Sequence, residues 1–189
     1  MASRRCVVMA LVAVLMASAH GMAQNWSVSS NLVGLADRGT LNASASRSLS
    51  QHWSMNVGLR YNPFSYGDGS LEEGAVRKKQ RMLSLGARYW LWHVYSGWWL
   101  SGAAQYQEYN FSNKGNNDTS EGDRIGAAVS AGYSYMLTPW LNVEVGVGLW
   151  GGYDNYRVYD CPTCGLTVDR GKKAFLTPED VIIALSIIF

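Results

Sequence analysis

The chain has 189 residues, with 16 Lys and Arg against 14 Asp and Glu and a formal net charge of +2. That length suits one domain with a full core. The near-balance of charge gives nucleic acid no electrostatic footprint, and no run approaches the roughly 20 apolar residues of a membrane-crossing helix.

The first segment is a leader. Arg4 and Arg5 precede an apolar run over 6–16 and a small-residue stretch over 17–23, the pattern of a helical secretory signal peptide over 1–23. Cleavage is expected after Ala23, with Ala19 the runner-up, leaving a single domain over 24–189. No Cys follows the apolar run, so a lipoprotein anchor is not expected, and Cys6 leaves with the leader. Losing Arg4 and Arg5 from the 16 basic residues brings them to 14, equal to the acidic count.

The remaining chain alternates with period two between turn signals. Eight segments are expected, over 26–35, 40–48, 52–62, 80–92, 97–111, 124–137, 141–156 and 178–189. In the third, Trp53, Met55, Val57, Leu59 and Tyr61 oppose Ser54, Asn56, Gly58, Arg60 and Asn62. The sixth sets Ile125, Val129 and Tyr133 against Gly126, Ser130 and Ser134; the seventh sets Val143, Val145 and Val147 against Glu144, Gly146 and Gly148. The last sets Val181, Ile183, Leu185, Ile187 and Phe189 against Ile182, Ala184, Ser186 and Ile188. Five apolar positions per strand match a tilted crossing of the hydrocarbon layer.

Alternation alone leaves the inward face undecided. The second face is Gly, Ser, Ala and Asn with an occasional charge, a poor coat for water but a good filling for a narrow barrel. The apolar face is therefore read as lipid-facing. The fold class expected is all-β: an eight-stranded antiparallel up-and-down transmembrane β-barrel in the outer membrane. Short links near 49–51, 93–96 and 138–140 alternate with long polar ones over 65–79, 112–123 and 157–177. With both termini periplasmic, the short links fall inside and the long ones outside. The first outer link, 36–39, is short.

Seven of the eight tryptophans (Trp26, Trp53, Trp90, Trp92, Trp98, Trp99 and Trp140) fall near the expected periplasmic ends, where an interfacial girdle belongs. A second belt is expected outside from Tyr61, Phe64, Tyr66, Tyr106, Tyr109, Phe111, Tyr153 and Tyr156.

The order Tyr61-Asn-Pro-Phe64, Arg88-Tyr-Trp-Leu91, Cys161-x-x-Cys164-Gly165 and a closing apolar strand resembles the uncharacterised Bacteroidales outer-membrane family known as domain of unknown function 3575. The resemblance covers most of the chain after the leader, most strongly from Arg88 onward. It implies a small barrel, with members often encoded near fimbria-type surface proteins, and no assigned activity. Resemblance to barrel proteins generally implies that the strand ending at Phe189 is the signal read by the barrel-assembly machinery.

Few residues suggest chemistry. Cys161 and Cys164 fall in the last outer link; a structural disulfide is the reading preferred over free thiols, half a zinc site or a redox dithiol. No other Cys follows the leader, and His52 and His93 fall at the opposite end, so neither a metal nor a cofactor is expected. His20 falls in the leader, which leaves no His for a nucleophilic site at the outer rim, and no enzyme is expected. Glu72, Glu73, Asp118, Glu121, Asp123, Glu179 and Asp180 read as solvated loop charges. The loop sequences Asn116-Asn-Asp118 and Glu121-Gly-Asp123 lack EF-hand spacing for calcium. Arg60, Arg88 and Glu144 share the inward face, where charges must pair, and Arg88 and Glu144 are expected to meet across the lumen as part of a salt-bridged plug.

The function expected is a non-enzymatic envelope anchor or surface-interaction protein linked to fimbria biogenesis. Its partners would be outer-membrane lipid, the assembly machinery and surface or fimbrial proteins met through the outer loops. The alternatives are a soluble secreted barrel holding a lipid-like ligand and an envelope lipid-modifying enzyme.

Overall fold

A computed structural model describes residues 25–36, 39–66, 76–112, 119–159 and 167–189. The leader, its cleavage site and the pair Cys161 and Cys164 lie outside the described residues, as do Glu72, Glu73, Asn116 and Asp118. The elements are β1 (Trp26–Asn31), α1 (Leu32–Ala36), β2 (Leu41–Ser48), β3 (Trp53–Asn62), β4 (Ser65–Tyr66), β5 (Val76–Trp90), β6 (Gly97–Ser112), β7 (Thr119–Thr138), β8 (Leu141–Tyr159) and β9 (Thr167–Ile188). Eight long strands form an up-and-down antiparallel barrel. Successive strands are neighbours, β1 returns to β9, and β3 meets β5 to complete the ring. The two-residue β4 only extends the β5 edge.

The faces fall as the alternation requires. Leu59 (60 % exposed), Val145 (52 %) and Leu185 (40 %) point outward, while Ser54, Asn142, Asp154 and Ser186 are fully buried inside. A water-soluble barrel would place these sets the other way round. Among the described residues, no helix is long and apolar enough to cross a membrane.

The expected boundaries need three corrections. First, β1 stops at Asn31, and Leu32–Ala36 forms one helical turn instead of more strand. Asn31 Oδ1 accepts the N–H of Val33 at 3.1 Å, as a helix-capping side chain does. On the β2 side, Asn42 replaces the lost ladder: its Oδ1 accepts from Asn31 N at 2.6 Å and its Nδ2 donates to Asn31 O at 2.9 Å. A short apolar run such as Leu32-Val-Gly-Leu35 does not distinguish helix from strand by period. Second, β5, β7 and β9 begin at Val76, Thr119 and Thr167, well before the expected 80, 124 and 178. Polar residues pair across these extensions, where no apolar face is needed. Much of each link read as a long loop is therefore sheet, and one wall of the barrel, β5–β9, stands far above β1–β3.

Third, the tryptophan girdle is smaller than expected. Trp26, Trp53, Trp92, Trp98 and Trp140 face outward, but Trp90 and Trp99 are buried in the lumen. Neighbours in a strand take opposite faces, so of Trp98 and Trp99 one must turn in. Tyr109, placed in the outer belt, also points inward and is buried.

Candidate functional site

The lumen gathers charged and polar side chains from the barrel strands, and it is layered along the axis. At the end carrying the chain terminus, the turn between β5 and β6 folds back into the barrel mouth. Val94 and Tyr95 from that turn pack with Trp90, Trp99 and Ile188, with Ile182 against them. Tyr95 adopts the left-handed region, φ 65°, followed by Gly97 at 78°. That conformation costs a residue with a side chain roughly 1–2 kcal/mol. Its carbonyl is held by Asn142 Nδ2 at 2.5 Å and Ser134 Oγ at 3.3 Å. Trp90 Nε1 donates to Ser54 Oγ at 3.0 Å, and the two rings Trp90 and Tyr95 meet edge-on with centroids 5.7 Å apart. Gly132 and Gly146 leave room for the Trp99 ring: a Cβ at either would lie 2.5 or 3.0 Å from its Cζ2. This aromatic plug closes the terminal end.

Directly above it, Arg88 Nη1 donates to Glu144 Oε2 at 2.7 Å. The guanidinium lies 4.1 Å over the Trp99 ring and 5.3 Å from that of Trp90. Glu144 is buried to 3 % side-chain exposure and Arg88 to 19 %, so the charges share a low-dielectric site where each requires the other. Arg60 shares the lumen with them: all three line a polar cavity of about 130 Å³ together with Asn42, Ser84 and Glu179. Gln105 Nε2 donates to Glu179, which a bulge in β9 opposite Gly148 turns inward. That carboxylate, read from the sequence as a loop charge, is thus a lumen group; the bulge carries no sequence signal beyond Pro178.

Higher still, Gln107 Nε2 donates to Gln80 Oε1 at 2.8 Å. Above that pair, the wholly buried Asp154 accepts from Tyr109 Oη at 2.8 Å and Arg124 Nε at 3.1 Å, with Lys173 Nζ at 3.9 Å. Arg124 stacks 4.3 Å over the Tyr109 ring. Sequence reasoning missed this cluster. Its signal was the odd carboxylate at position 154 on the glycine-rich inward face of β8, in phase with Glu144.

At the rim, Tyr159 donates to Glu121 Oε1 at 2.6 Å and Tyr156 to Asp169 Oδ2 at 3.2 Å. Each hydrogen bond to a carboxylate holds its phenol above the ordinary range. Glu121 and Asp169 therefore have partners here, and Glu121 is not simply a solvated loop charge. On the outward side, Glu108 and Asp123 stand directly opposite each other across the β6–β7 ladder.

The histidines serve the turns. His52 Nδ1 lies 2.9 Å from Trp90 O and His93 Nδ1 3.2 Å from Val94 O, so each ring donates to a main-chain carbonyl. Among the described residues no group of three or more His, Cys, Asp or Glu is placed to hold a metal ion. Phe189 closes the barrel seam: its N–H and carbonyl each pair with Trp26 at 2.9 Å. The arrangement as a whole fixes charges in place around a small cavity in the lumen.

A search of curated proteins gives no match. A family model described as "protein of unknown function (DUF3575)" matches residues 7–189, nearly the whole chain including every barrel strand, and the chain belongs to that family.

Proposed function

We propose that this protein is a small outer-membrane barrel without enzymatic activity, acting as an envelope anchor and surface-interaction protein. One observation carries the reading: a continuous apolar band faces out all round a ring whose inside is polar. An outward Leu59, Ile125, Val129, Val147 and Leu176 would be an aggregation hazard in water but is the expected surface in lipid. A shallow apolar depression of about 770 Å³ on that surface, lined by Trp53, Tyr89, Leu100, Gly102, Val129 and Leu149, suits acyl chains. The five outward tryptophans stand at the terminal end, where an interfacial belt belongs. The leader over 1–23 would deliver the chain, the barrel-assembly machinery would insert it through the strand ending at Phe189, and the short links would face the periplasm. Partners, including surface or fimbrial proteins, would then meet the tall β5–β9 wall and its connections.

The soluble lipid-binding alternative needs an apolar cavity, whereas the lumen here holds Arg88, Glu144, Arg124 and Asp154. Fractionation of envelopes from cells expressing the full chain tests the proposal. Recovery in the outer-membrane fraction after a carbonate wash is expected; recovery in the soluble fraction would overturn it. Planar-bilayer recording adds a second test, with no stable large conductance expected through a lumen sealed by Trp90, Tyr95 and Trp99.

A further inference from the structure

β9 loses its neighbour halfway up. It pairs with β1 from Ile188 to Ala184, opposite Ser27 to Asn31. Beyond that the Asn31 side chain crosses the seam, with Oδ1 accepting from Ile183 N at 3.2 Å and Nδ2 donating to Val181 O at 3.3 Å. α1 abuts β9 beside the seam but, being helical, offers it no ladder. β9 nevertheless continues to Thr167, bonded to β8 along its other side. Among the described residues, no strand pairs with the second side of residues 167–180.

The ladder alternation shows which main-chain groups lie on that open side. Phe189 exchanges both its bonds with Trp26, so odd-numbered positions of lower β9 face β1. The bulge between the pairs Val147↔Val181 and Leu149↔Pro178 shifts the count by one. Above it the even-numbered residues Lys172, Ala174 and Leu176 turn their N–H and C=O groups to the empty side; the N–H of Arg170, in the same set, donates to Asp169 Oδ1 at 2.8 Å. Pro178 falls in the same set and borders the bulge, and a residue lacking an N–H is tolerated at either an unpaired side or a bulge.

An open edge invites a strand, and its side chains select which one. Arg170 and Lys172 are exposed there, Arg157 stands opposite Arg170 across the β8–β9 ladder, and Lys173 is 56 % exposed one residue away. We propose that the upper β9 edge is a docking seat for an extended acidic segment of a partner protein, which adds a strand to the tall wall. A second copy of this chain is a poor occupant. Antiparallel self-pairing about Lys172 sets ammonium beside ammonium, and like charges directly opposite are destabilising. The inference names the partner chemistry for the surface-interaction reading and rests on it only for the edge being outside the cell.

The test uses the full chain folded in detergent micelles and a labelled ten-residue peptide of alternating Glu and Thr. Expected are saturable binding that weakens with salt and slowed amide exchange at Lys172 and Ala174. Ala174→Pro, which removes one edge N–H and no bond to β8, is expected to weaken binding at least tenfold, as is Lys172→Glu. Both should keep the heat-modifiable gel shift of the folded barrel. Equal binding of a peptide N-methylated at alternate residues would show charge attraction without a ladder and overturn the proposal. Unaltered binding to Ala174→Pro would do the same, as would edge amides already slow in the free protein, or a dimer that Ala174→Pro dissolves. Labelling of Lys172 on intact cells by a membrane-impermeant amine reagent separates the two readings. Labelling only after lysis would refute the outward orientation while leaving the peptide result intact.

Discussion

The two ends of the lumen are closed with different materials. At the terminal end the seal is aromatic: Trp90, Tyr95 and Trp99 are almost fully buried, and the charges directly above them, Arg88 and Glu144, are paired with each other. At the far end it is electrostatic: Asp154 collects Tyr109, Arg124 and Lys173, and Arg124 and Lys173 are partly exposed. Packing that excludes water makes each polar group at the first end costly to orphan, whereas the exposure of Arg124 and Lys173 at the second softens the loss of their carboxylate partner. The terminal end should therefore carry the stability of the barrel, and the far end should tolerate change.

Mutations at the first end should break the molecule hardest. Glu144→Ala strands Arg88 beneath the cavity and is expected to cost about 3–5 kcal/mol, seen as a marked fall in the temperature of the gel shift; no change would mean that Arg88 finds water. Gly132→Val drives a side chain into the Trp99 ring and should cost about 1–3 kcal/mol, with loss of the near-ultraviolet circular dichroism of the buried tryptophans. An unaltered spectrum would show that the plug is looser than its contacts imply.

At the far end the loss of a buried carboxylate charge is expected to cost less than Glu144→Ala. Asp154→Asn keeps the shape but removes the charge facing Arg124 and Lys173; about 1–3 kcal/mol is expected from weakened hydrogen bonds, with the tryptophan spectrum preserved. If that spectrum collapses too, the ends are one cooperative unit and the comparison fails. The smallest effect is alkaline. Hydrogen bonds to Asp169 and Glu121 raise the Tyr156 and Tyr159 phenols, so their contribution is intact below the unfolded value of about 10 and lost as pH rises through the higher folded values. Ultraviolet titration should show late-ionising phenol that Tyr159→Phe reduces; no change in the late fraction would place that hydroxyl free in water.

Strand geometry made the barrel legible in the sequence. Period-two alternation through Trp53–Asn62 and 141–149, with glycine and serine as the second set, gave both the sheet and the direction of its faces. The pairing of Arg88 with Glu144 followed from shared phase and shared height. Other features were hidden for definite reasons. Trp98 and Trp99 are adjacent, so strand parity sends one of them inward, and Trp90 shares the inward phase of Arg88; Trp90 and Trp99 were therefore misplaced in the belt. The polar halves of β7 and β9 carry no apolar period, so residues 119–123 and 167–177 read as loop. The helix at Leu32–Ala36 depends on Asn31 and Asn42 replacing the ladder, a long-range arrangement that no local pattern announces. The Asp154 cluster requires residues from β6, β7, β8 and β9 together, and Glu179 enters the lumen only because a bulge turns it.

The central claim is that the outward apolar band lies against acyl chains while the far-end wall stands in water. Nitroxide labels at Val147, Leu59 and Arg157, each introduced as cysteine in a Cys161→Ser, Cys164→Ser background and reconstituted in liposomes, test it most directly. The expected outcome is that oxygen relaxes the labels at 147 and 59 while a water-soluble nickel complex does not, and that the nickel complex reaches 157. Equal access of nickel to all three positions would contradict it.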